Sequence, residues 1–315
     1  MKPPECLDYL VSLVKERWPT YGPERVMFEL ANAFGVHVSR STIWRSLERL
    51  AKPSRPPVTP APKPKWKFYE MRSPHVLWHG DAHLGKRLPD GRHLWQATLF
   101  DDCSRGIVGD HLCLENDTRA LVRALIQAIR AWRVLPLLLE MDNGSECKNR
   151  LMKAFCRNVG IYLFHAKPYH PQSNGKQERS FRSGQEEFWR SLQTTDLDEV
   201  RRLRKGFVLR WNTERGQKAL GGLPPSTRVT EGNRRDIDYE RLEDLARAPL
   251  GTRVVDRRGR IAYMGNMIQV GQKLSGLKAD LVLTLEGAEI RVDDDTVGRF
   301  DYWSTTKRYA EWRGD

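Results

Sequence analysis

Apolar residues in the first fifty positions recur every three or four residues, the period of an α-helix. Leu7, Leu10, Val11 and Val14 form one stripe. Val26, Phe28, Leu30 and Ala31 belong to a second helical stretch that opens at Gly22-Pro23-Glu24. Gly35-Val36-His37-Val38-Ser39 is a turn ending on a good N-cap residue, and a third helix follows with Ile43, Trp44, Leu47 and Leu50 apolar. Its other face shows Arg40, Ser41, Thr42, Arg45 and Arg49. Helix, glycine turn, then a short helix with arginines and hydroxyls outward is the pattern of a helix-turn-helix. A small helical bundle with a solvated basic face has the same pattern.

The periodicity then breaks. Residues 52–67 hold Pro53, Pro56, Pro57, Pro60, Pro62 and Pro64 among lysines and an arginine. Such a segment is extended at ~3.1 Å per residue and spans roughly 40 Å, enough to separate two domains. From His75 the pattern becomes strand-like: His75 to His83, Leu94 to Asp101 and Gly106 to Leu114. Thr118 to Arg133 is an amphipathic helix with Leu121, Leu125, Ile129 and Trp132 inward. Pro136 to Met141 reads as a buried strand, Leu151 to Val159 as a helix and Ile161 to His165 as a short strand. A long helix is expected from about Lys176 to Leu192, and another from Asp196 to Trp211 with Asp196 as its cap. Three strands followed by alternating helices and strands indicate an α/β layered domain with a mixed sheet. From Thr252 five short strands separated by turns suggest a small β-barrel.

Composition adds a partner. The formal net charge is +13, and the pI is about 9.7. This balance fits a polyanion, nucleic acid being the commonest. The five cysteines form no CxxC pair, in keeping with a reducing cytoplasmic compartment. No apolar run is long enough for a membrane span, and no segment resembles a signal peptide.

Cleaving and rejoining a phosphodiester needs both the attacking and the leaving oxygen stabilised in line, which two divalent ions can do. Mg²⁺ takes hard oxygen ligands, so carboxylates at strand ends are the natural candidates. Asp142 follows the apolar run Leu137-Leu138-Leu139 and opens the turn Asp142-Asn143-Gly144. It stands at the C-terminal tip of a buried strand, where open α/β sheets place ligands. As a residue before Asn-Gly it also suits an Asx turn. Glu178 falls in the first turns of the long helix, with Arg182 four residues on along the same face. Asp81 lies in His79-Gly80-Asp81-Ala82-His83, and strand geometry puts His79, Asp81 and His83 on one face. That trio also admits a zinc or iron site. Asp101 and Asp102, at the end of the next strand, compete with Asp81 for the role of first carboxylate.

Together these segments resemble the catalytic core of retroviral integrases and bacterial insertion-sequence transposases, the DDE family. Met141-Asp142-Asn143-Gly144-Ser145-Glu146 resembles the family's DNGxE around its second Asp. Pro168-Tyr169-His170-Pro171-Gln172-Ser173-Asn174-Gly175-Lys176-Gln177-Glu178-Arg179 resembles its PYHPQxNGxxER around the Glu. Between Asp142 and Glu178 lie 35 residues, the family's interval. Asp102-Cys103-Ser104-Arg105 is similar to a strand end that is structural in the family, so the resemblance assigns the first Asp to Asp81. Trp211-Asn212 and Ala219 to Pro225 are similar to a further family segment. Three departures stand out. The first Asp lies in His-Gly-Asp-Ala-His rather than Trp-x-x-Asp-x-Thr. Cys147 stands where Phe is usual, and Arg215-Gly216-Gln217-Lys218 replaces Arg-Pro-His.

The resemblance implies an RNase H-like mixed-sheet core over 74–228. It is preceded by a helix-turn-helix domain over 1–51 and a linker over 52–73. A second linker at 229–251, a small β-barrel at 252–303 and a tail at 304–315 follow. It implies that Asp81, Asp142 and Glu178 bind two Mg²⁺ or Mn²⁺ ions, and that element ends are processed and their 3′-OH joined to target DNA. Asn143, His170, Gln172, Asn174, Lys176, Arg179 and Arg182 would then meet DNA or support the site loop. Arg40, Ser41, Thr42, Arg45 and Arg49 would meet terminal sequences. Double-stranded DNA, further copies of the chain on paired ends and an accessory transposition protein are the expected partners. A retired, DNA-binding descendant of a transposase and another RNase H-like nuclease are the alternatives.

Overall fold

The computed structural model describes residues 6–50, 70–114, 118–142, 150–165, 182–184, 186–229 and 237–302. Three helices open the chain: α1 (Leu7–Arg17), α2 (Pro23–Phe34) and α3 (Arg40–Leu50). Leu7, Val11, Val14, Tyr21, Val26, Leu30 and Ile43 form their common core. Pro23 occupies the first turn of α2, where its missing N–H costs nothing. Gly35 ends the helix in the left-handed region at φ 63°, and the Val36 N–H returns to Leu30 O. Ser39 caps α3, its Oγ accepting from Thr42 N at 3.3 Å. The inward face of α3 differs from expectation. Trp44 and Leu50 are about half exposed, while Ser46 is buried and bonds Asp8 of α1.

The middle of the chain forms a five-stranded mixed sheet in the order β3-β2-β1-β4-β5. Its strands are β1 (Leu77–Arg87), β2 (His93–Asp101), β3 (Ile107–Cys113), β4 (Leu138–Met141) and β5 (Tyr162–His165). β1, β2 and β3 are antiparallel neighbours, whereas β4 and β5 run parallel to β1. The parallel strands are reached through α4 (Thr118–Trp132) and α5 (Arg150–Val159), as parallel crossovers require. Both helices cover one sheet face, packing Leu121, Leu125 and Ile129 of α4 and Phe155 of α5 with Trp78, Leu99 and Met141. The opposite face is covered by helical residues 182–184 and 186–188 and by α6 (Leu197–Thr213). There Leu94, Phe100 and Ile107 meet Phe188, Phe207 and Trp211. Asp196 caps α6 as expected, accepting from Glu199 N at 2.8 Å.

A short helix α7 (Leu242–Leu245) leads into the C-terminal strands. β6 (Ala248–Val254), β9 (Lys278–Leu283), β10 (Ala288–Val292) and β11 (Asp295–Phe300) form an antiparallel sheet in the order β11-β10-β9-β6. β7 (Arg260–Tyr263) and β8 (Asn266–Gln269) pair as a separate hairpin. Among the described residues the sheet stays open, with β11 and β6 as its edges, and no closed barrel is formed. β11 goes beyond the five strands expected. It follows the turn Asp293-Asp294, whose φ values of 50° and 69° make a left-handed hairpin turn without glycine. α5 and α4 hold this unit against the core. Asn158 donates to Leu245 O at 2.9 Å and Arg130 to Tyr239 O at 3.1 Å. Among the described residues no helix is long and apolar enough to cross a membrane.

Candidate active site

The parallel pairing of β1 with β4 decides where the candidate carboxylates stand. Its last rungs are His79 beside Glu140 and Gly80 beside Met141. The next residues are Asp81 and Asp142. They leave adjacent parallel strands, ~4.8 Å apart, at the same level and on the same face. Asp81 is half-buried within β1 and Asp142 is exposed just past the end of β4. Gly80 leaves little room between them and the core, for a Cβ there would lie 3.0 Å from Leu99 and 3.3 Å from Met141. His165 of β5 braces the second strand tip, its Nδ1–H donating to Asp142 O at 2.8 Å. The donor chemistry fits a hard divalent ion: carboxylates at one level of neighbouring strands offer the oxygen ligands that Mg²⁺ takes.

Asp81 also belongs to a polar row across the sheet. Thr98 of β2 pairs with Asp81, and Asp110 of β3 pairs with Thr98. Thr98 Oγ1 donates to Asp110 at 3.1 Å, and Arg204 of α6 grips both Asp110 oxygens at 3.0 and 2.7 Å. Gln96 bonds Thr98, Asp110 and the Trp189 indole, at 2.6, 2.8 and 2.7 Å. Burial and the nearby Arg204 charge push the His83 pKa down.

Beneath Asp81 lies a second cluster that sequence reasoning missed. His79 is buried between two carboxylates. Its Nε2–H donates to Asp102 at 3.2 Å, and its Nδ1 lies 3.1 Å from Glu140 in contact too poorly aligned for a hydrogen bond. Burial disfavours the imidazolium, but Asp102 and Glu140 outweigh it and raise the His79 pKa. Both ring nitrogens thus face carboxylates, which leaves His79 poorly placed as a zinc ligand. The one readable hint was Glu140 inside an apolar run.

Asp101 and Asp102 are consumed by the turn after β2. Asp101 accepts from His75 N, Ser104 N and Ser104 Oγ, each at 2.7 Å. Asp102 accepts from Met71 N at 2.8 Å, from His79 and from Arg105. Trp78 stands three residues before Asp81 and is fully buried, so the Trp-x-x-Asp part of the family pattern is present; the departure is confined to His83 in place of Thr.

Glu178, Asn143, His170, Gln172, Asn174, Lys176 and Arg179 lie outside the described residues. Arg182 is exposed in the helical segment 182–184. On α3, Arg40 and Arg45 are exposed, Arg40 3.6 Å from Glu24 and Arg45 donating to Ser41 O at 3.3 Å. The Ser41 and Thr42 hydroxyls bond Ser39 Oγ at 2.9 and 2.8 Å. Arg49 turns back to Asp8 of α1, at 2.8 and 2.6 Å, and braces the helical unit. Among the described residues no group of three or more His, Cys, Asp or Glu side chains is arranged to hold a metal ion.

The comparisons place this architecture. Residues 72–171 match the integrase core domain family, and residues 159–225 match a second integrase core domain model. These matches overlap and run over the mixed sheet and the helices on both faces. The chain therefore carries an integrase core domain over residues 72–225. Similar solved structures include three that are described by name. One is the catalytic core domain of HTLV-2 integrase in complex with magnesium, 16% identical over 50% of this chain and 97% of that one, at a TM-score of 0.40. The catalytic core domain of BIV integrase is 22% identical over 49% and 92%, at 0.37. A simian T-cell lymphotropic virus intasome in complex with a PP2A regulatory subunit is 12% identical over 97% and 96%, at 0.45.

Proposed function

We propose that this protein is a DDE transposase or integrase that frees a 3′-OH at element ends and joins it to target DNA. The observation that carries this reading is the placement of Asp81 and Asp142 at one level of two adjacent parallel strands, inside the integrase core match. Glu178 completes the set by its motif and its interval from Asp142. Asp81, Asp142 and Glu178 would hold two Mg²⁺ or Mn²⁺ ions, which supply charge stabilisation for the attacking and leaving oxygens. The chain's own contribution is to fix the carboxylates. Pairing of β1 with β4 sets their level, and His165 ties the Asp142 backbone.

The basic balance of the chain supports a DNA partner. In this reading the three N-terminal helices are a helix-turn-helix unit, with exposed Arg40 and Arg45 beside the Ser41 and Thr42 hydroxyls meeting DNA. Arg182 meets DNA near the site. Assembly on paired ends makes the active form an oligomer, with an accessory protein as a further partner. The test is a plasmid nicking and joining assay in Mg²⁺ and Mn²⁺ with wild type, Asp142→Asn and Glu178→Gln. Metal-dependent products from wild type alone support the reading. Equal products from all three would sink it.

A further inference from the structure

The run Leu137-Leu138-Leu139 leads into β4 with the same side chain at three successive positions. In the observed register Leu138 pairs with Leu77, Leu139 with Trp78, Glu140 with His79 and Met141 with Gly80. A slip of one residue in either direction would still set a leucine against Leu77. The apolar rungs therefore do not choose the register by themselves. Yet such a slip turns every side chain of a strand to the opposite face. It would drive Glu140 into the apolar face where Trp78, Leu99 and Met141 pack, and take Asp142 off the face of Asp81.

One rung carries the information that the leucines lack. His79 and Glu140 are both buried, at 4% and 1% exposure, and pair across the two strands. Phenylalanine closes their row on either side: Phe100 pairs with His79 and Phe164 with Glu140. The imidazole is thus the polar group that this row offers the Glu140 carboxylate, with Nδ1 standing 3.1 Å from Oε2. Among the described residues neither of these two atoms has a hydrogen bond elsewhere. The ring is held from its other side as well. Its Nε2–H donates to Asp102 at 3.2 Å, and Asp102 accepts from Met71 N at 2.8 Å and donates its own N–H to Leu77 O at 3.0 Å. A slipped register would oppose Glu140 with Trp78 or Gly80 instead, and a carboxylate buried without its partner is costly.

We infer that His79 is a positioning residue: its pairing with Glu140 keys β1 to β4 in the register that puts Asp81 and Asp142 on one level. The inference rests on the reading that these two aspartates bind the divalent ion. Asp81 follows His79 by two positions and Asp142 follows Glu140 by two, so each aspartate shares the face of its key residue. A buried polar pair of this kind adds little to stability and instead penalises the wrong pairing of otherwise interchangeable apolar residues. His79 acts through strand register, without touching metal or DNA.

Replacing the pair by leucines separates register from stability. In the double variant His79→Leu/Glu140→Leu, the urea midpoint of the full-length protein should stay at or above wild type. Cross-strand amide NOEs between residues 77–80 and 138–141, measured on deuterated protein, should lose their wild-type pattern. Mn²⁺ binding followed by calorimetry should weaken by about tenfold or more. Asp101→Ala is the destabilised control: its midpoint should fall, while its NOEs are unchanged and its Mn²⁺ affinity stays within about twofold of wild type. Wild-type NOEs in the folded leucine variant overturn the inference, and so does Mn²⁺ affinity kept within about twofold in a variant whose register has slipped. Should the leucine variant not fold, a cycle of His79→Gln, Glu140→Gln and their combination decides. The combined loss of Mn²⁺ affinity should be no greater than the larger single loss, and additive losses overturn the inference. If Asp142→Asn binds Mn²⁺ as wild type does, the carboxylate reading is what fails, and the NOEs still judge the register.

Discussion

Four aspartates lie on or beside the strands of one sheet, and the two pairs lead different lives. Asp101 and Asp102 lie buried in the turn after β2, where backbone N–H groups, a serine hydroxyl, His79 and Arg105 fill their oxygens. Asp81 lies half-buried within β1 at the level where its pairing with β4 ends, and Asp142 is exposed just past the end of β4. The residue type is the same in each case. What differs is the geometry of the strand end. A tight turn folds its own donors back onto a carboxylate and makes it structural. Asp81 and Asp142 instead come one residue after the last paired rung of two parallel strands, a placement set by strand register rather than by a turn.

That contrast can be broken at either pair. The largest expected effect is on chemistry. Asp81→Asn or Asp142→Asn should lower metal-dependent strand transfer by about a thousandfold or more, with little change in unfolding midpoint. A midpoint that collapses while residual activity persists would assign these residues to structure instead. The second effect is on stability. Asp101→Ala strands three buried donors and should cost about 3 kcal/mol in urea unfolding, without a specific loss of metal dependence.

The third effect is on acid tolerance. Burial raises the Asp102 pKa, but His79, the Met71 N–H and Arg105 outweigh it and bring it from 3.8 to about 2. A carboxylate depressed on folding stabilises above its unfolded pKa. Its contribution should therefore be complete above about pH 4 and fade as the pH falls toward about 2. Asp102→Asn should be less stable at neutral pH and flatter in that window, as acid-unfolding curves would show. The smallest effect separates two arginines of α3. If exposed Arg45 touches a phosphate, Arg45→Ala should reduce the salt slope of DNA binding by ~0.9, whereas Arg49→Ala should loosen the helical unit and leave the slope nearly intact. Equal slopes in both variants would remove Arg45 from the interface.

Much of this was readable in the chain. Apolar runs with known periods marked the strands and helices of the core, and Asp196 announced α6 before any geometry was known. Asp142 was legible because a strand tip and a turn coincide there. Other features depend on distant partners. His79 and Glu140 meet only once β1 and β4 pair in register, across 60 intervening residues. Arg49 is exposed as expected, but helical spacing alone does not reveal its ion pair with Asp8 on another helix. β11 escaped notice because its turn, Asp293-Asp294, takes positive φ without a glycine to signal it. The open C-terminal sheet was invisible for a related reason: strand count does not determine whether edges meet.

Asn212 closes an edge in a different sense. Its side-chain amide accepts from Ile107 N at 2.9 Å and donates to Ile107 O at 2.8 Å, as a neighbouring strand would. β3 is the outer strand of the sheet, so this amide occupies its first outward rung. An edge with that rung taken is a poor template for another chain. A further strand adding at this end of β3 would first have to displace the Asn212 amide from Ile107.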